Sequence, residues 1–106
     1  MKAENIQSQM KKGILEFCIL SIIARGEVYP ADIVVELQDK GMPIFEGTLY
    51  PLLTRLKNAG FLDYRWVESS GGPPRKYYAM NKNGQEFLKQ LEGSWNSLLA
   101  AVQRIV

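Results

Sequence analysis

The chain contains no histidine. That removes the side chain most used as a general acid or base near neutral pH, and the commonest metal ligand with it. It has one cysteine, Cys18, which excludes an internal disulfide and any zinc site built from cysteines. No carboxylate pair sits in a recognisable catalytic setting, and Gly71-Gly72-Pro73-Pro74 is too rich in proline to cradle a phosphate. Long apolar runs are missing too: the longest, Phe17 to Ala24, falls well short of the roughly 20 residues that cross a bilayer. Met1 to Lys12 is polar and is no signal peptide. These absences predict a cytoplasmic chain that is not an enzyme, has no catalytic or metal-binding residues, uses no cofactor and has no membrane partner.

A length of 106 residues makes one domain, with a core at the small end of what folds alone. The net charge of +2 is too small to point to a partner, but its distribution is informative. Residues 1–54 hold five Lys/Arg and seven Asp/Glu, a net of −2. Residues 55–82 hold six basic and two acidic residues, a net of +4, and residues 83–106 hold two of each. Positive charge is thus gathered in one short segment, as a polyanion-binding surface requires.

That segment overlaps the stretch around which the chain is organised, Glu46 to Gly60. Leu49, Leu52, Leu53 and Leu56 recur at i, i+3, i+4 and i+7, the stripe of a helix facing a core. Pro51, Thr54, Arg55 and Asn58 then point the other way, with Tyr50 and Lys57 on the flank. No carboxylate follows Glu46 on this outer face, which suits an anionic partner. Pro51 and the non-capping Phe45 both trouble the start of this helix, which is placed near Glu46. Gly60 ends it. Phe61 to Glu68 is rich in strand formers, Ser69 to Pro74 is a loop by composition, and Arg75 to Met80 is a second short strand. On that second strand Tyr77 and Tyr78 alternate, one toward the core and one toward the surface. The expected fold class is mainly α with a small β wing: a winged helix-turn-helix.

The flanking segments complete this picture. Ser8 to Gly26 reads as a first helix, apolar on more than one face and therefore buried on two sides, with Cys18 as a small core hydrophobe. Pro30 opens a second helix, with Ile33, Val34, Val35 and Leu37 as its apolar residues, and Gly41 closes it. Tyr29, at its start, reads equally as a packing residue and as a phosphate contact. Asn81 caps a last helix running from Lys82 to near the C-terminus. Along it Leu88, Leu91, Trp95, Leu98, Val102 and Ile105 are spaced as a coiled-coil seam. Six such side chains left in water would forgo on the order of 10 kcal/mol, which self-association recovers. The expectation is a winged helix-turn-helix over residues 1–80, its first helix sharing a dimer interface, and a C-terminal dimerisation helix over residues 81–106 that is no independent domain.

With Gly47-Thr48-Leu49-Tyr50-Pro51-Leu52-Leu53, Arg55-Leu56 and Gly60, then Gly72-Pro73-Pro74-Arg75-Lys76-Tyr77-Tyr78 and Gly84, the chain resembles the PadR family of transcriptional regulators, in its compact form with a single C-terminal helix. The resemblance spans about Leu15 to Trp95. It implies a homodimer that binds a palindromic double-stranded operator and represses the adjacent gene. By position, Thr48, Tyr50, Pro51 and Arg55 would face the groove, and Gly72, Arg75 and Lys76 would belong to the wing; the residues themselves add Lys57 and Asn58. Trp95 matches an aromatic that in some compact members lines a dimer-interface pocket for planar, drug-like molecules, which makes a small aromatic effector the expected ligand. Two departures stand out: Phe45 replaces a capping residue, and Pro30-Ala31 follows Tyr29. A winged helix that binds only protein is the competing reading, disfavoured by the acid-poor face beside the basic wing.

Overall fold

Glycine and proline punctuate the N-terminal half of the chain into three helices. In the computed structural model, which describes residues 1–106, these are α1 (Ala3–Ile23), α2 (Pro30–Asp39) and α3 (Glu46–Asn58). An antiparallel hairpin follows, β1 (Leu62–Val67) and β2 (Arg75–Met80), and then α4 (Lys82–Ile105). This is the mainly helical, small-sheet architecture expected.

Boundaries depart from expectation in α1. It begins at Ala3, not Ser8, because no breaker interrupts the helix-favouring Ala, Glu, Gln, Met and Lys of the first dozen residues. It ends at Ile23, and Ala24 to Gly26 forms the turn that follows. Gly41, at φ +92°, makes the tight exit from α2 that a bulkier residue would resist. α3 starts at Glu46 without a side-chain cap, and Pro51 lies inside it. Pro51 has no N–H for the carbonyl of Gly47 one turn back, and both residues lie on the exposed side, where water can serve instead.

The core is made where the helices meet the base of the hairpin. Ile19, Leu20 and Ile23 of α1, Ile33 of α2, and Leu49 and Leu53 of α3 are almost fully buried. Leu62 and Tyr78 close the sheet side. Tyr78, not Tyr77, is therefore the inward residue of β2. Val35, in contrast, is exposed and no part of the stripe of α2. The hairpin pairs Tyr64 with Tyr78, Arg65 with Tyr77 and Trp66 with Lys76. Val28 adds a one-residue third rung, exchanging hydrogen bonds of 3.0 and 2.9 Å with Tyr78.

α4 is joined to this body by a packed corner. Asn81 caps it as expected: its Oδ1 accepts from the Gly84 amide at 2.9 Å. Its Nδ2 donates to the Gly60 carbonyl, also at 2.9 Å, so one side chain ties the end of α3 to the start of α4. Phe61 and Phe87 stack beside it, centroids 4.2 Å apart and 8° from parallel. The seam of α4 divides into two. Leu88 is buried in the core and Leu91 is half-buried. Trp95 sits 6.4 Å from Phe17 of α1. Beyond it Leu98, Val102 and Ile105 are exposed by 56, 44 and 83%. The radius of gyration, 15.4 Å, exceeds the roughly 13 Å of a compact domain of this size, because the distal half of α4 leaves the body.

Candidate nucleic-acid interface

The outer face of α3 is polar and open. Thr48, Tyr50, Pro51, Thr54, Arg55, Lys57 and Asn58 are all exposed, while Leu49, Leu53 and Leu56 hold the helix down. The leucine spacing thus does what its periodicity predicts: it fixes which side of α3 is left for a partner. Partial burial, with the nearby Glu46 adding to it, holds the Tyr50 phenol above its ordinary pKa.

Arg55 is not a free cation. Its guanidinium is in ion-pair contact with Glu16 of α1, whose Oε1 is shielded from solvent. The side chain of Arg55 is nevertheless 69% exposed, so a partner can reach it. Glu16 was invisible to sequence reasoning, being on another helix far back in the chain.

The wing carries the remaining charge. Lys76 lies over the Tyr64 ring, its Nζ 3.9 Å from the centroid, with Tyr78 at 5.4 Å and Trp66 at 5.7 Å. Lys57, from the last turn of α3, approaches the same Tyr64 ring at 5.1 Å. Helix and wing thus deliver two ammonium groups to one aromatic ring, and neither is ion-paired. Cation–π contacts hold such a charge in place while leaving it unneutralised. Arg75 lies on the opposite face of the strand, 5.0 Å from the Tyr29 ring, which itself packs on Tyr77 at 5.8 Å. Tyr29 is therefore a packing residue that also positions a cation.

Arg65, another base of the cationic segment, is spent within the fold. Its Nε and Nη2 donate to Glu27 at 2.5 and 2.7 Å, a forked pair that locks the wing to the segment before α2. That hydrogen bond holds the Glu27 carboxyl below its usual value and raises Arg65. At the tip, the Ser69 hydroxyl donates to the Pro73 carbonyl at 2.8 Å, and Gly71 takes φ +77°. Gly72 is exposed beside them.

A second feature lies between α1 and α4. Met10, Gly13 and Ile14 of α1 and Trp95, Leu98 and Val102 of α4 line an open, largely apolar groove of about 530 Å³. Gly13 contributes to its width, since nothing stands within 4 Å of where its side chain would be. Of the residues predicted here, Leu88 belongs to the protomer's own core and is not available to this surface. Leu91 lines a smaller adjoining hollow with Phe17, and Ile105 stands free at the end of α4.

The model of the PadR-like family of transcriptional regulators matches residues 19–90, which include all of α2, α3 and the hairpin. The chain belongs to that family. A PadR-like transcription factor from Bacteroides fragilis is 49% identical, covering 96% of this chain and 99% of its own, with a TM-score of 0.81. A PadR-family regulator from Eggerthella lenta is 33% identical, covering 96% and 89%, with a TM-score of 0.88. Bacillus subtilis PadR, solved in complex with operator DNA, shares the fold at a TM-score of 0.68 and 22% identity, over 74% of this chain and 46% of its own. The PadR assignment accounts for the winged helix-turn-helix without appeal to any one residue, and this chain is a transcriptional regulator of that family.

Proposed function

We propose that two copies of this chain pair through α1 and α4, bind a palindromic operator with their α3 helices and wings, and repress transcription until a flat apolar molecule enters the interface. The observation that carries this is the meeting of Lys57 and Lys76 on Tyr64. Two cations held on one ring, neither ion-paired, leave a site that an anion can fill. A phosphate backbone supplies one. Thr48, Tyr50, Pro51, Arg55 and Asn58 then face the bases or flanking phosphates, with Gly72 and Arg75 on the wing. The fold of a protein crystallised on its operator supports the same assignment.

Pairing is supported by the exposed Leu98, Val102 and Ile105, which a second α4 would cover. In a two-fold dimer the reading helices would lie about 34 Å apart, one turn of duplex. The groove at Trp95 supports the effector: it is apolar, is walled on one side by an indole, and would be closed by the partner.

The test is selection of duplexes from a random pool by the purified chain, followed by titration against salt. Enrichment of a palindrome, and binding that falls by several powers of ten between low and moderate salt, are expected. Retention of no duplex, or binding indifferent to salt, overturns the proposal.

A further inference from the structure

Phe45 is 85% exposed and occupies the N-cap position of α3. It makes no capping bond, so the helix gains nothing from it; Ser, Thr, Asn or Asp would serve better there. No neighbour covers the ring. It stands at the edge of an open hollow of about 500 Å³ shared with Val34, Pro43, Ile44 and Glu46. A large ring left open at the first position of a reading helix is placed where such helices meet a partner.

The surroundings narrow the choice. The first residues of the second helix of a helix-turn-helix are those that reach base edges. Glu46, next in the chain, is exposed and carries the only carboxylate of α3. A carboxylate beside the ring repels phosphate but can accept from a cytosine N4 amine, so this corner suits base edges better than the backbone. Among the groups that base pairs present in the major groove, one is apolar, the C5-methyl of thymine. An apolar ring at that depth has that one complementary group to pack on.

We propose that Phe45 is a specificity residue that selects thymine in each operator half-site by packing its ring on the C5-methyl group. This rests on the operator-binding reading above. The polar groove residues Thr48 and Arg55 set other positions, and Phe45 supplies discrimination by shape and apolar contact alone.

Replacing thymine by deoxyuridine removes that methyl and leaves base pairing intact. The probe is the duplex enriched from the random pool, with each thymine replaced in turn. For the wild-type chain, affinity is expected to fall about fourfold at one position per half-site, and about fifteenfold when both symmetric positions are changed, the worth of one and two buried methyl groups. Phe45→Ala should bind the thymine and uracil duplexes equally, and Phe45→Leu should keep part of the difference. Because Phe45 is exposed, both variants should melt with the wild type, which a thermal scan checks. The inference is overturned if no uracil position weakens the wild type, or if the sensitive position weakens Phe45→Ala equally. In either case the ring faces something else, such as a protein partner. If the wild type enriches no duplex at all, the operator reading falls and takes the inference with it; a chain that binds its palindrome without sensing the methyl overturns the inference alone.

Discussion

A single amide at Asn81 satisfies groups on two helices, the Gly84 N–H and the Gly60 carbonyl. Asn81→Ala removes both bonds and is expected to cost about 1–2 kcal/mol, read as a lower urea midpoint at unchanged slope. Gly84→Ala should cost more. Its added carbon would lie 2.3 Å from the Phe61 carbonyl oxygen and 2.6 Å from Met80 Cγ, and the backbone oxygen cannot step aside. A loss on the order of 3 kcal/mol is expected from such overpacking. The Glu16–Arg55 pair makes a different prediction, on binding. Glu16→Gln removes a negative charge near the proposed duplex and frees the guanidinium. Operator affinity should rise several-fold, and the slope of log K against log salt should steepen by about one as one more phosphate is neutralised. The cap was legible from the sequence, because Asn before a helical pattern has a local meaning. The ion pair was not, because nothing local in either helix says which residues tertiary packing will bring together.

Among the elements, the hairpin combines a fixed base with a charged outer half. Lys76→Ala should flatten the salt dependence of operator binding by about one and leave the enriched sequence unchanged, since a phosphate contact carries no base information. The forked Glu27–Arg65 pair ties the hairpin down through its hydrogen bonds. The folded state lowers the Glu27 pKa, so the tie is present above the ordinary glutamate value of 4.5 and is lost as pH falls through and below it. In a Trp95→Phe background, Trp66 emission should therefore shift as pH drops below about 4.5, and Glu27→Gln should abolish that transition. A Trp66 signal in the Trp95→Phe chain that is flat through this range would count against the tie. Most element boundaries were readable from Gly60, Pro30 and the leucine spacing. α1 was misplaced at its start because a polar helical turn without a capping residue looks like a tail. Of the α4 seam, Leu88 lies in the chain's own core while Leu98, Val102 and Ile105 are exposed. Periodicity reports that a face is apolar, and it cannot say which length of that face the chain's own body covers.

For the whole molecule, the decisive property is elongation: principal extents of 53 × 32 × 21 Å, with exposed aliphatic side chains along the far end. Val102→Glu together with Leu98→Glu should yield a folded monomer by sedimentation, with operator affinity reduced by orders of magnitude because two half-sites no longer bind as one. Planar aromatic molecules should quench Trp95 emission in the wild-type dimer and not in that monomer. An indole signal indifferent to such molecules would remove the effector from the scheme and leave the regulator intact.

The corner at Asn81 also has a mechanical meaning. α4 is about 36 Å long at 1.5 Å per residue, so a change of about 10° at its root carries its tip through about 6 Å. In the proposed dimer, a small wedge between two such rods would swing the reading heads at their other ends. Phe61 and Phe87, stacked at that pivot, resist bending there, and on the proposed scheme that stiffness would turn a molecule lodged far away into a mismatch with the pitch of the double helix.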